Sequence, residues 1–153
     1  MPHIVTKSFG EFDYAPEQIL EFPAGLPAFE DQKAFVLIEE ASHGPLVFLQ
    51  SVVNPKLCFT TLPVGLIDPH YELEIIAEDA RLLEIGVGGE TPDHEPADLL
   101  CLAMLVATEN CPTANLMAPV VINRKNRRAV QAIRVDKRYS HQYPLLAAES
   151  VCS

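Results

Sequence analysis

No apolar run in this 153-residue chain approaches the roughly 18 residues that a membrane-spanning helix requires; the longest, residues 99–107, has nine. Residues 1–10 contain no apolar stretch of signal-peptide type, so the chain is read as carrying no secretory signal and the cytoplasm is the expected compartment. Tryptophan is absent, and the four cysteines, Cys58, Cys101, Cys111 and Cys152, form no CxxC pair. A chain of this length builds a core without covalent staples, so reduced thiols are expected, with Cys58 and Cys101 acting as small apolar residues inside apolar runs. Positive charge is scarce: 11 Lys and Arg stand against 21 Asp and Glu, a net of -10. That deficit argues against a dedicated nucleic-acid binder, which needs surplus cations to displace counterions, and in favour of basic partners. There is no internal repeat, low-complexity tract or composition shift. One domain over residues 1–146 is expected, with residues 147–153 as a disordered tail.

The marks of catalysis are missing too. Neither GxSxG nor a cysteine-nucleophile signature occurs, although Cys101 and His94 could still meet in space. The histidines, His3, His43, His70, His94 and His141, form no HxxxH or HExxH pair. Asp68, His70 and Glu72 alternate and would share one face of an extended segment, but a histidine among surface carboxylates is more often solvated than ligating. Gly86-Val87-Gly88-Gly89 lacks the lysine and the strand-to-helix setting of a phosphate loop. Glu39-Glu40 and Glu78-Asp79 are adjacent pairs at element ends and read as solvated charge. No catalytic residue, metal or cofactor is expected.

What the chain does contain is a series of short runs rich in Val, Ile, Leu, Phe and Thr, bounded by Pro, Gly, Asn or Asp. They cover residues 4–9, 18–22, 34–39, 46–53, 57–62, 71–76, 99–107, 119–123 and 128–135. Runs of this length and composition are strands, and the regular turns between them predict antiparallel pairing. The expected fold is an all-β, small antiparallel β-barrel-like single domain with one short helix. That helix is placed at residues 77–85, where Glu78 and Asp79 lie in the first turn and Gly86 follows the last. The stretch 86–96, with three Gly and two Pro, is expected to be an exposed loop.

Charge is unevenly distributed. Residues 1–123 carry a formal net of -15, residues 124–138 a net of +6, and the remainder -1. The basic stretch reads as a hairpin with a charged tip at Arg124, Lys125 and Arg127, for which three roles stand open: a solubilising edge, an anion or RNA contact, or an ion-pair seam with the acidic remainder. On the acidic side, Tyr71, Leu73 and Ile75 alternate with Glu72 and Glu74. With Asp68 before them and Glu78 and Asp79 after, these carboxylates either form one negative patch or serve helix capping and ordinary solvation.

Several separated blocks, taken in order, resemble the bacterial flagellar assembly factor FliW family. They are Phe9-Gly10-Glu11-Phe12, the ten residues from Phe22 to Asp31, Phe35-Val36-Leu37-Ile38, Leu49-Gln50-Ser51-Val52, Pro69 with Tyr71 and Glu72, and Asn115 to Asn123 leading to Gln131. The resemblance spans Phe9 to Leu145. Two positions where the family usually has glycine are Ala28 and Ala129 here. Physically, Phe22, Gly25, Leu26, Pro27 and Phe29 read as a punctuated loop anchored on the core, with Gly25 free to adopt positive φ. Asn115, Asn123 and Gln131 read as scaffold amides bonded to backbone.

The resemblance implies a cytoplasmic protein-binding factor with a small β-barrel-like fold and no catalytic activity. Its implied partners are flagellin and CsrA, a small, basic, dimeric RNA-binding regulator that represses flagellin translation; binding one partner releases the other. No cofactor, membrane or direct nucleic-acid contact is implied, and a monomer is expected. The charge balance agrees, because an acidic protein gains association rate toward a basic one. Asp68, Tyr71, Glu72, Glu74, Glu78 and Asp79 are the expected regulator-facing residues. The alternatives are a nucleic-acid contact through the basic hairpin 124–138 and, further off, a metal enzyme using Asp68, His70 and Glu72.

Overall fold

A computed structural model describes residues 3–6, 10–26, 29–39, 44–73, 75–84, 99–106, 112–134 and 138–145. In chain order the strands are β1 (His3–Thr6), β2 (Gly10–Asp13), β3 (Leu20–Glu21), β4 (Ala34–Glu39), β5 (Val47–Ser51) and β6 (Cys58–Pro63). After the helices α1 (Val64–Ile67) and α2 (Ala77–Leu83) come β7 (Leu99–Val106), β8 (Thr113–Ala114), β9 (Val120–Asn123), β10 (Arg128–Gln131) and β11 (Tyr143–Pro144).

Strands β7, β6, β5, β4, β3, β10 and β9 pair in that order, and β9 returns to pair with β7, closing a seven-stranded barrel. All these pairs are antiparallel except β3 with β10, which meet at Glu21 and Arg128. Closure is thinnest at β3, which pairs with β4 at two positions and with β10 at one, so residues 36–39 of β4 have no ladder partner on that side among the described residues. The distal half of β7 instead pairs with β8, and β8 with β11, while β1 and β2 form a separate hairpin.

Side-chain alternation sorts the barrel into lumen and wall. Phe22, Phe35, Leu49, Leu102, Val120, Ile122 and Ala129 fill the lumen, and Phe22 and Phe35 meet edge to face at 5.2 Å. The opposite faces of β9 and β10 carry Val121 and Val130, which with Ala132 bury Leu83 of α2. On the outer face of β7, Ala103 packs with Val64, Ala114 and Leu116. Cys58 and Cys101 are free thiols, and burial pushes the Cys101 thiol up to about 12, so it stays protonated.

The all-β barrel with a short helix matches the expectation, and α2 starts at the expected Ala77. Three features differ. The described residues of the stretch 71–76 form no strand: Tyr71, Leu73 and Ile75 do point inward, but onto the outer barrel wall, over strands already paired to one another. The one-turn helix α1 was not expected, because four residues are too few to show a period. The basic hairpin β9–β10 forms, but it is no edge, since β7 flanks one strand and β3 the other. Residue 85, the glycine-rich stretch 86–96, Cys111, Cys152, His43, His94 and the tail 147–153 lie outside the described residues.

Candidate partner-binding surface

Residues 68–84 cross the outer wall of the barrel between α1 and the end of α2. Asp68 ends α1, its N–H donating to the carbonyl of Val64 at 2.9 Å, and its Oδ1 accepts the N–H of His70 at 2.9 Å. That Asx turn breaks the alternation that had aligned Asp68, His70 and Glu72. Among the described residues no group of three His, Cys, Asp or Glu could hold a metal ion.

The chain next passes an aromatic and guanidinium cluster. The Tyr71 hydroxyl donates to the carbonyl of Leu116 at 2.6 Å, and its ring lies 4.3 Å from that of Tyr139. Arg134, only 3% exposed, places its guanidinium 4.7 Å from the Tyr139 ring centre and 5.5 Å from that of Tyr71, and donates to the carbonyl of Glu72. A buried cation over two aromatic faces and on a carbonyl has exchanged much of its water for cation–π and hydrogen-bond contacts. Burial pushes the Tyr71 phenol up to about 12, so it remains a donor.

Glu72 accepts from Arg138 through both carboxylate oxygens, at 2.7 and 3.2 Å. This hydrogen-bonded pair holds the Glu72 carboxyl below the usual carboxylate range, while leaving its charge largely offset. Glu72 is therefore exposed but answered. Glu74 lies outside the described residues.

Glu78 and Asp79 occupy the first turn of α2, behind an Ile76 cap that contributes no side-chain hydrogen bond. Burial first, and then the neighbouring Glu78, push the Asp79 carboxyl up. Glu78 and Asp79 thus place two carboxylates in one turn, and among the described residues neither forms an ion pair.

The far end of α2 is held by the basic hairpin. The Leu83 carbonyl accepts from Asn123 Nδ2 at 2.9 Å and Asn126 Nδ2 at 3.1 Å, and the Leu82 carbonyl from Arg128 Nη1 at 3.3 Å. These donors meet carbonyls that a helix leaves without intrahelical partners. Arg128 also lies 3.7 Å from both Glu21 and Glu84. Of the three roles left open for the basic stretch, the ion-pair seam is the one its Arg128 and Arg138 contacts describe. Asn126, Arg128, Arg134, Arg138 and Tyr139 were not singled out individually from sequence; the only signal was the cluster of basic residues in an acidic chain.

The loop after β3 is anchored as its residue types suggest. Gly25 has φ of +68°, and a Cβ there would lie 2.4 Å from the Glu30 carbonyl oxygen. Phe22 and Leu26 are buried, and Phe29 packs edge to face on Phe59 at 5.6 Å; Pro27 is outside the described residues. Asn115 Oδ1 accepts the N–H groups of Met117 and Ala118, and Gln131 donates to the Ala118 carbonyl.

A sequence model of the family described as "FliW protein" matches residues 3–145. The flagellar assembly factor FliW of Syntrophomonas wolfei is 33% identical over 144 residues, covering 93% of this chain and 87% of that protein. Its counterpart in Bacillus pumilus is 33% identical over 149 residues, 97% of this chain and 99% of that protein. The Bacillus subtilis counterpart is 30% identical over 142 residues, 93% and 95%. A crystal structure of the flagellar assembly factor FliW superposes with a TM-score of 0.80 at 28% identity, covering 94% of this chain and 96% of that one.

Proposed function

The chain belongs to the FliW family of flagellar assembly factors, and on that premise we propose that it acts in the cytoplasm as a monomeric protein-binding regulator. It binds flagellin and antagonises a CsrA-type RNA-binding repressor, so that flagellin level feeds back on flagellin translation. The work is done by holding other proteins on its exterior, with no substrate transformed.

The observation that supports the regulator-binding reading is the pair Glu78 and Asp79 at the start of α2, in a chain of net charge -10. A basic regulator approaching this field gains association rate, and the same field disfavours RNA phosphates beside the bound regulator. Asp68, Tyr71 and Glu72 frame that surface, and Glu74 belongs to the same proposed patch by sequence. Glu72 contributes mainly by tying residues 71–73 to Arg138.

Titration calorimetry with the purified regulator tests this reading. The double substitution Glu78→Lys with Asp79→Lys is expected to weaken binding at least tenfold at low salt, whereas Glu72→Gln should have a smaller effect. Unchanged affinity in the double variant would remove α2 from the interface. The nucleic-acid alternative has weaker support, because Arg128 and Arg138 already face carboxylates and Arg134 is buried.

A further inference from the structure

Among the described residues, one end of the barrel is marked by two depressions. A depression of about 360 Å³ lies over the lumen there, floored by Leu20, Leu37, Leu100 and Ile122 and rimmed by Glu17, Glu39, Arg124 and Arg127. A second, of about 500 Å³, shares Glu39, Leu100 and Arg124 with it and continues past Pro45 and Pro63 to Leu66, which is 63% exposed. The mouth of a barrel, apolar below and polar at the rim, is a recurrent place for binding. It is distinct from α2, which lies on the outer wall.

The arginines indicate what the mouth binds. In an acidic chain a guanidinium readily finds a carboxylate, as Arg128 and Arg138 do. Among the described residues, Arg124 and Arg127 have no such partner. Arg127 moreover sits at φ of +62°, a left-handed position that favours glycine or asparagine. The hairpin turn carries the Arg127 side chain to the edge of this apolar floor.

We propose that this mouth docks an apolar segment of a partner protein that carries an adjacent carboxylate: apolar side chains enter the two depressions and the carboxylate meets Arg124 and Arg127. A nucleic acid fits less well, because the floor of Leu20, Leu37, Leu100 and Ile122 offers apolar contact that a chain of phosphates does not use. The surface is opposite in charge preference to α2, so the two sites take different partners and this inference does not depend on the α2 reading.

The test is fluorescence anisotropy with the full chain and a fluorescein-labelled, end-capped peptide, Ser-Leu-Glu-Leu-Asp-Ser, against the same peptide with lysine at both acidic positions. The acidic peptide is expected to bind at least tenfold more tightly. Arg124→Ala and Arg127→Gly should each weaken it at least fivefold, while Lys56→Ala, which removes an exposed cation at the β5–β6 turn, leaves it unchanged. Glycine relieves the left-handed backbone, so Arg127→Gly should keep or raise Tm, which separates lost binding from lost folding. The proposal is overturned by no binding at millimolar peptide, by equal affinity for both peptides, or by full binding in the doubly substituted arginine variant. Tighter binding of a uridine hexanucleotide than of the acidic peptide overturns it in favour of RNA. Self-association in sedimentation that Arg127→Gly abolishes overturns it in favour of a second copy.

Discussion

At the scale of single residues, two positions make opposite demands. Gly25 occupies backbone that a side chain strains, with the Glu30 carbonyl where a Cβ would stand. Gly25→Ala is therefore expected to cost at least about 2 kcal/mol, read as a lower denaturant midpoint with unchanged slope. Asp79 is different, since its folded carboxyl is raised above the ordinary value by burial and by Glu78. The folded state then binds the proton more tightly than the unfolded state, so this group's contribution to stability rises as pH falls from neutral through its raised value. Asp79→Asn should stabilise the protein at pH 7, and thermal melts should find that advantage shrinking toward pH 4. Glu72 runs the other way: Arg138 lowers its carboxyl, so the stabilisation from that pair is present above the ordinary carboxylate value and is lost as pH falls through the lowered one.

At the scale of elements, α2 is only seven residues long and does not stand alone. Leu83 buries its apolar face, while Asn123, Asn126 and Arg128 occupy its terminal carbonyls. Asn123 is itself buried and also accepts the Lys125 N–H at 3.0 Å, so it ties the hairpin turn to the helix end. Asn123→Ala should cost about 1–3 kcal/mol, the range for leaving buried groups unsatisfied. Hydrogen exchange should locate the loss, with α2 amides losing protection while the β4–β5 ladder keeps it. The 71–76 segment carries a related lesson. Its alternation was legible and Tyr71, Leu73 and Ile75 do turn inward, yet its described residues pair with no strand, because alternation specifies a buried face and not a hydrogen-bonded neighbour.

At the scale of the whole molecule, closure and charge act together. A barrel closed through β9 and β7 pairs most of its strand length internally, which limits edge pairing with other sheets, while β1–β2 and β11 stand outside the closed ring. The excess of carboxylates acts over a Debye length of about 8 Å at physiological salt. Association with a basic regulator should therefore slow several-fold between low salt and 0.5 M NaCl, while dissociation changes less; stopped-flow measurements would separate the two.

The fold class, the acidic character and the start of α2 at Ala77 were legible in the amino-acid order alone. Alternation, turn residues and helix-start signals such as Glu78 are properties of neighbours along the chain. The anchoring roles of Phe22 and Gly25 were legible for the same reason. Tertiary structure alone decided that β9 returns to β7, that β3 and β10 run parallel, and that Glu72 is answered by Arg138 across 66 positions while Glu78 and Asp79 form the less compensated pair. Those outcomes turn on which distant groups are brought within a few ångströms, and hydrogen bonds and ion pairs act over that distance in space, whatever the separation in sequence.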